Sequence, residues 1–157
     1  MKTSALNGNV RHRHRFLATM LGSIIVLIAT VGYTASSHNI SRPASKEFGQ
    51  GPRVSLGRNY MATLEAAQPL RLRKMQTVRV RIEDVAGHPV DGAGITIDGG
   101  MPQHGHGLPT RPRVTRNLGG GIYEIEGVRF NMGGWWQFKL AISGPAGDDS
   151  VTFNLDL

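Results

Sequence analysis

From residue 60 onward, apolar side chains recur at every second position, and this period of two constrains the fold more than any other feature of the chain. Tyr60, Ala62 and Leu64 alternate with Met61, Thr63 and Glu65, and Val78, Val80 and Ile82 alternate with Arg79 and Arg81. Successive side chains of a strand point to opposite faces, so such alternation marks strands with one buried and one wet face. Tyr123 and Ile125 repeat the pattern against Glu124 and Glu126, which puts both glutamates on a wet face. Trp136, Phe138, Leu140 and Ile142 share one face, with Trp135, Gln137, Lys139 and Ala141 on the other. Trp136 is therefore the core ring and Trp135 the exposed one. At Gly127 the phase breaks, and Val128, Phe130 and Met132 take the opposite parity, as a bulge or tight turn allows.

The runs are separated by turn chemistry. Residues 84–94 (DVAGHPVDGAG) and 144–149 (GPAGDD) are dense in Gly, Pro and Asp, which turn the chain. Ile95 and Ile97 open one further strand, and Val151, Phe153 and Leu155 close the set. No window after residue 60 carries a helical period. Seven or eight short strands predict an all-β domain over residues 59–157, an immunoglobulin-like antiparallel β-sandwich. A small closed barrel is the alternative.

Ahead of this domain the chain changes character. Residues 16–35 (FLATMLGSIIVLIATVGYTA) carry no charge, and the segment 1–15 before them holds Lys2, Arg11, Arg13 and Arg15 with no acid. Twenty residues of helix span ~30 Å, the thickness of the hydrocarbon core. Basic residues on the N-terminal side alone keep that end in the cytoplasm. The expectation is a single N-terminal transmembrane helix in the inner membrane, with the C-terminal domain periplasmic. A cleaved signal peptide is the rival, although its apolar region runs only ~7–15 residues. Residues 36–58, polar and rich in Ser, Gly and Pro, read as a linker.

Charge and cysteine usage exclude several functions. The net charge is +7, but outside the N-terminal four cations the chain sets 14 Lys and Arg against 11 Asp and Glu. Arg79 and Arg81 fit the wet face of a strand, so no basic stripe for nucleic acid is expected. The absence of Cys removes disulfides, thiolate ligation and thiol catalysis together. No Ser lies in a nucleophile elbow and no acid pair brackets a His, so the chain is read as a non-enzyme.

The chemistry is concentrated in residues 98–140. Within GGMPQHGHGLP stand Met101, His104 and His106, and positions two apart on an extended strand share a side, so the two imidazoles can converge on one ion. Met101 can swing in from one turn earlier, and Met132 comes from a later segment just before Gly133 and Gly134. Imidazole and thioether without thiolate make a soft set suited to copper, whereas structural zinc wants four Cys or His ligands. The competing reading makes Met101 and Met132 core filler, Met132 above all by its parity, and makes both His ordinary loop residues.

The run Gly100-Met101-Pro102-x-His104-x-His106-Gly107, with Pro109-x-x-Pro112, Gly121-x-Tyr123 and Phe130-x-Met132-x-Gly134-x-Trp136, resembles the YtkA-like domain family. Asp84-x-x-Gly87-x-Pro89-Val90-x-Gly92-Ala93 fits the opening of such domains, and Gly133 departs from the pattern where Pro is expected. The resemblance implies a small extracytoplasmic β-sandwich behind a membrane anchor, similar in layout to FixH-like proteins of copper-oxidase maturation. It carries the family motif onto Met101, His104, His106 and Met132. Two functions are thus expected: copper binding through these four residues in metalloprotein or oxidase assembly, or a metal-free module that contacts a protein of a membrane complex. A small-molecule site in the mouth of the sandwich is a third.

Overall fold

A computed structural model describes residues 50–157; the basic segment, the apolar run 16–35 and the linker up to residue 49 lie outside the described residues. The alternating runs form strands as expected: β2 (Tyr60–Glu65), β3 (Gln76–Asp84), β4 (Gly94–Met101), β7 (Ile122–Val128), β8 (Trp135–Gly144) and β9 (Gly147–Asp156). Three strands carry no such alternation: β1 (Arg53–Val54), β5 (His106–Gly107) and β6 (Arg113–Gly119). The nine strands make two antiparallel sheets, β1-β2-β3-β7-β6 and β5-β4-β8-β9. No helix occurs among the described residues.

The in-facing residues predicted from alternation fill the space between the sheets. Tyr60, Ala62, Leu64, Val78, Val80, Ile82, Tyr123 and Ile125 on one sheet meet Trp136, Phe138, Leu140, Ile142, Val151, Phe153 and Leu155 on the other, all of them buried. Burying one such side chain contributes about 1.5–3 kcal/mol, and with no disulfide this packing carries the fold. The phase break at Gly127 is a β-bulge. Gln76 pairs with Val128 and Val78 with Ile125, so three steps on β7 match two on β3. Gly127 takes φ +81°, a conformation open to glycine.

Two out-facing side chains depart from the simple pattern. Trp135 is only 4% exposed, because its indole N–H donates to Asn154 Oδ1 at 2.8 Å on the neighbouring strand. Glu124 is likewise buried, held by Arg116 from β6 and Arg79 from β3. Those hydrogen bonds from Arg116 keep its carboxyl below the ordinary glutamate range. Strand β6 thus supplies the guanidinium that lets an acid lie flat on the outer face.

Candidate functional site

The loops leave the sandwich at two ends. One end gathers residues 66–75 after β2, the turn after β4, the segment 108–112 and the β7–β8 connection 129–134. Strand register puts them together: Gln76 pairs with Val128, Gly100 with Gln137 and Trp135 with Asp156. All four residues singled out from sequence lie at this end.

The hairpin β4–β5 sets the geometry. Met101 pairs with His106 and Gly100 with Gly107, closing a turn over residues 102–105, with Gly105 at φ +65° and His104 N–H donating to Met101 O at 3.0 Å. Directly paired residues of an antiparallel ladder present their side chains to the same face. Met101 is core, 2% exposed, so His106 inherits the core-side direction from an exposed strand end. His104 belongs to the turn rather than to an extended strand, yet its ring lies near-parallel to that of His106, with an interplanar angle of 12° and centroids 6.3 Å apart. The two glycines let the hairpin close in. A Cβ on Gly99 would meet Gln137 O at 2.3 Å, and one on Gly100 would meet His106 O at 2.2 Å.

Met132 comes from the opposite wall. Parity makes it a core residue, but it is 42% exposed. Strand β7 ends at Val128, and the indole N–H of Trp136 takes the Met132 carbonyl at 2.9 Å, so the backbone turns where parity would have continued. Phe130 remains in the core, edge-on to Trp136 with centroids 5.2 Å apart. Gly134 N–H donates to Leu157 O at 2.6 Å and its carbonyl accepts from Leu157 N–H at 3.1 Å, which pins the connection to the end of the last strand.

Between these walls lies a cleft of about 350 Å³ lined by Met101, His106, Met132, Asn131, Pro109 and Trp136. Three of the four sequence-derived residues therefore share one concavity. His104 does not line it; it stays in the turn, its ring centroid 6.3 Å from that of His106. His106 also borders a second cleft of about 390 Å³ that contains Asp98, Gln137 and Lys139. Among the described residues no three His, Asp or Glu side chains converge. The arrangement offers a mixed thioether and imidazole set, with one donor buried and two at the surface. Met101 Cε is 3.2 Å from where a Cβ of Gly134 would stand, so the absence of a side chain there gives the thioether its room.

The family model for YtkA-like proteins matches residues 57–141, more than half of the 157-residue chain. The chain belongs to the YtkA-like family. The matched span includes the β4–β5 hairpin, Met132 and Trp136, and ends inside β8, short of β9, which completes the second sheet of this chain. No curated protein and no solved structure matches the chain.

Proposed function

We propose that this YtkA-like domain binds a copper ion as cargo, with His106 and Met132 as surface donors, Met101 behind them and His104 joining from the turn. The observation that carries this reading is the cleft shared by Met101, His106 and Met132. Soft thioether ligands favour Cu(I), and imidazole accepts either oxidation state. The set suits zinc poorly, since closed zinc sites take four Cys or His ligands. A site with most of its donors at the surface exchanges its ion readily, which fits a carrier in metalloprotein or oxidase assembly better than a structural centre.

The order β2-β3-β7-β6 facing β4-β8-β9 supports the immunoglobulin-like reading, because it matches the ABED and CFG sheets of the constant-type fold. The uncharged run 16–35 and its basic flank support a single-pass inner-membrane anchor with the sandwich on the periplasmic side. A metal-free assembly module is the second reading, favoured by Leu72 and Met75, both exposed at this end of the sandwich.

Titrating the full chain with Cu(I) against a colorimetric chelator tests the proposal. Stoichiometric binding is expected, with affinity falling at least about tenfold in His106→Ala and again in Met132→Leu. The urea midpoint should stay unchanged, since both side chains are exposed. Binding equal in the wild type and the double variant leaves the assembly reading in possession.

A further inference from the structure

The loops that surround the cleft share a charge. Residues 66–75, 102–112 and 129–134 contain Arg71, Arg73, Lys74, Arg111 and Arg129 and not one Asp or Glu. The strand ends beside these loops add Arg113, Glu65 and Asp156, which leaves this end net positive, whereas at the other end of the sandwich the loops and strand ends carry Asp84, Asp91, Asp148 and Asp149, with Arg58. A near-neutral domain is thus polarised along its length, positive around the thioether and imidazole cleft.

The basic loop is built rather than loose. Gln76 closes its base, its Oε1 accepting from Arg71 N–H at 2.5 Å and its Nε2 donating to Arg71 O at 2.9 Å. Arg73 N–H donates to Phe130 O at 2.6 Å, which ties the loop to the connection that carries Met132. Leu72 Cδ1 comes within 3.8 Å of a Cβ built on Gly133. The same loop walls a groove of about 470 Å³ lined by the apolar Leu70 and Met75 together with Arg71 and Lys74.

We infer that this end of the domain docks an acidic protein segment, whose carboxylates meet Arg71, Arg73 and Lys74 while an apolar side chain enters the Leu70–Met75 groove. The inference deepens the copper reading by naming the partner of that site, and it rests on that reading only for what is passed across. Anionic lipid would complement the same cations, but proteins that lie in the membrane interface expose Trp and Phe. Here both Trp and every described Phe and Tyr are buried, which favours a protein segment. Opposite charge around a recessed site raises the encounter rate and fixes the approach direction, leaving the exposed thioether to meet the incoming ligand.

The test uses the full chain, metal-free and Cu(I)-loaded, titrated calorimetrically with a synthetic peptide of interspersed Glu and Met. Removing two rim cations (Arg71→Gln/Arg73→Gln) should weaken the peptide about tenfold and flatten its salt dependence. Removing two cations elsewhere (Arg58→Gln/Arg81→Gln) should change it less than twofold. Equal loss in both variants, or none in the first, overturns the inference. So does capture by phosphatidylglycerol-containing vesicles, but not by phosphatidylcholine vesicles, that the peptide fails to displace and that Arg71→Gln/Arg73→Gln abolishes, since that assigns the rim rather than the basic N-terminal segment to lipid. If the rim variant unfolds, a Lys-for-Glu peptide on the wild type decides: binding by that peptide overturns the inference. Peptide binding that needs the rim in a chain that takes up no Cu(I) defeats the copper reading alone, and Cu(I) uptake with no rim dependence defeats the docking alone.

Discussion

Gly121 sits where the backbone leaves no room for a side chain. At φ +72° its would-be Cβ meets Ile82 O at 2.3 Å and Val90 N at 3.1 Å, while its own carbonyl accepts from Ile82 N–H. Gly120 has a similar φ of +60° but nothing within 4 Å. Gly120→Ala should therefore cost only left-handed strain, about 1 kcal/mol. Gly121→Ala adds the collision and should lose more than about 2 kcal/mol. Both are read as a lowered urea midpoint at constant slope. At this scale alternation identified almost every core residue, because burial on one face of a strand is a local property. It failed at Met132, Trp135 and Glu124 for one common reason. Each is decided by one specific hydrogen-bond partner rather than by its place in the period: the Trp136 indole for Met132's backbone, Asn154 for Trp135, and Arg116 for Glu124. No period in the chain announces such partners.

Two buried tyrosines join the elements at the end away from the cleft. The Tyr60 phenol on β2 donates to Gly147 O at 2.7 Å and accepts from Ala146 N–H at 3.0 Å, fastening the β8–β9 turn of the other sheet. The Tyr123 phenol on β7 donates to Val90 O at 2.7 Å and accepts from Ala93 N–H at 2.9 Å, fastening the segment that enters β4. Burial pushes the Tyr123 phenol above the ordinary tyrosine range, so it stays protonated and keeps donating. Tyr60→Phe and Tyr123→Phe each leave a backbone donor and acceptor unpaired. Each should cost about 1–3 kcal/mol, measured by chemical denaturation. The six long strands were legible because their alternation is clean and their turns are rich in Gly, Pro and Asp. Strand β6 was not, since Arg113, Arg116, Asn117 and Leu118 are all exposed and only Val114 packs against the core. An outer strand with two wet faces has no hydrophobic period to read.

Across the whole molecule, Asp149 joins the first sheet to the last strand. Burial raises its carboxyl's pKa, but hydrogen bonds from Ser55, Gly57, Asn59 and Ser150 outweigh this and hold it at about 2. A carboxyl whose folded pKa lies below the unfolded value of ~3.9 stabilises the fold above that value and loses this contribution as pH falls. The urea midpoint should therefore drop between about pH 4 and pH 2, and Asp149→Asn should flatten that limb of the profile. The thioether and imidazole of Met101 and His106 were legible as neighbours because both stand in one short stretch. The pairing that aims them was not, because register is settled between strands. That pairing makes the turn over residues 102–105 a ruler. Strand side chains alternate, so one residue added between Met101 and His106 and absorbed by a slip of β5 against β4 would turn the imidazole to the opposite face and carry Leu108, two residues on, off the core. The length of this short turn, more than the identity of the residues within it, is then what keeps the Met101 thioether and the His106 imidazole in the same cleft.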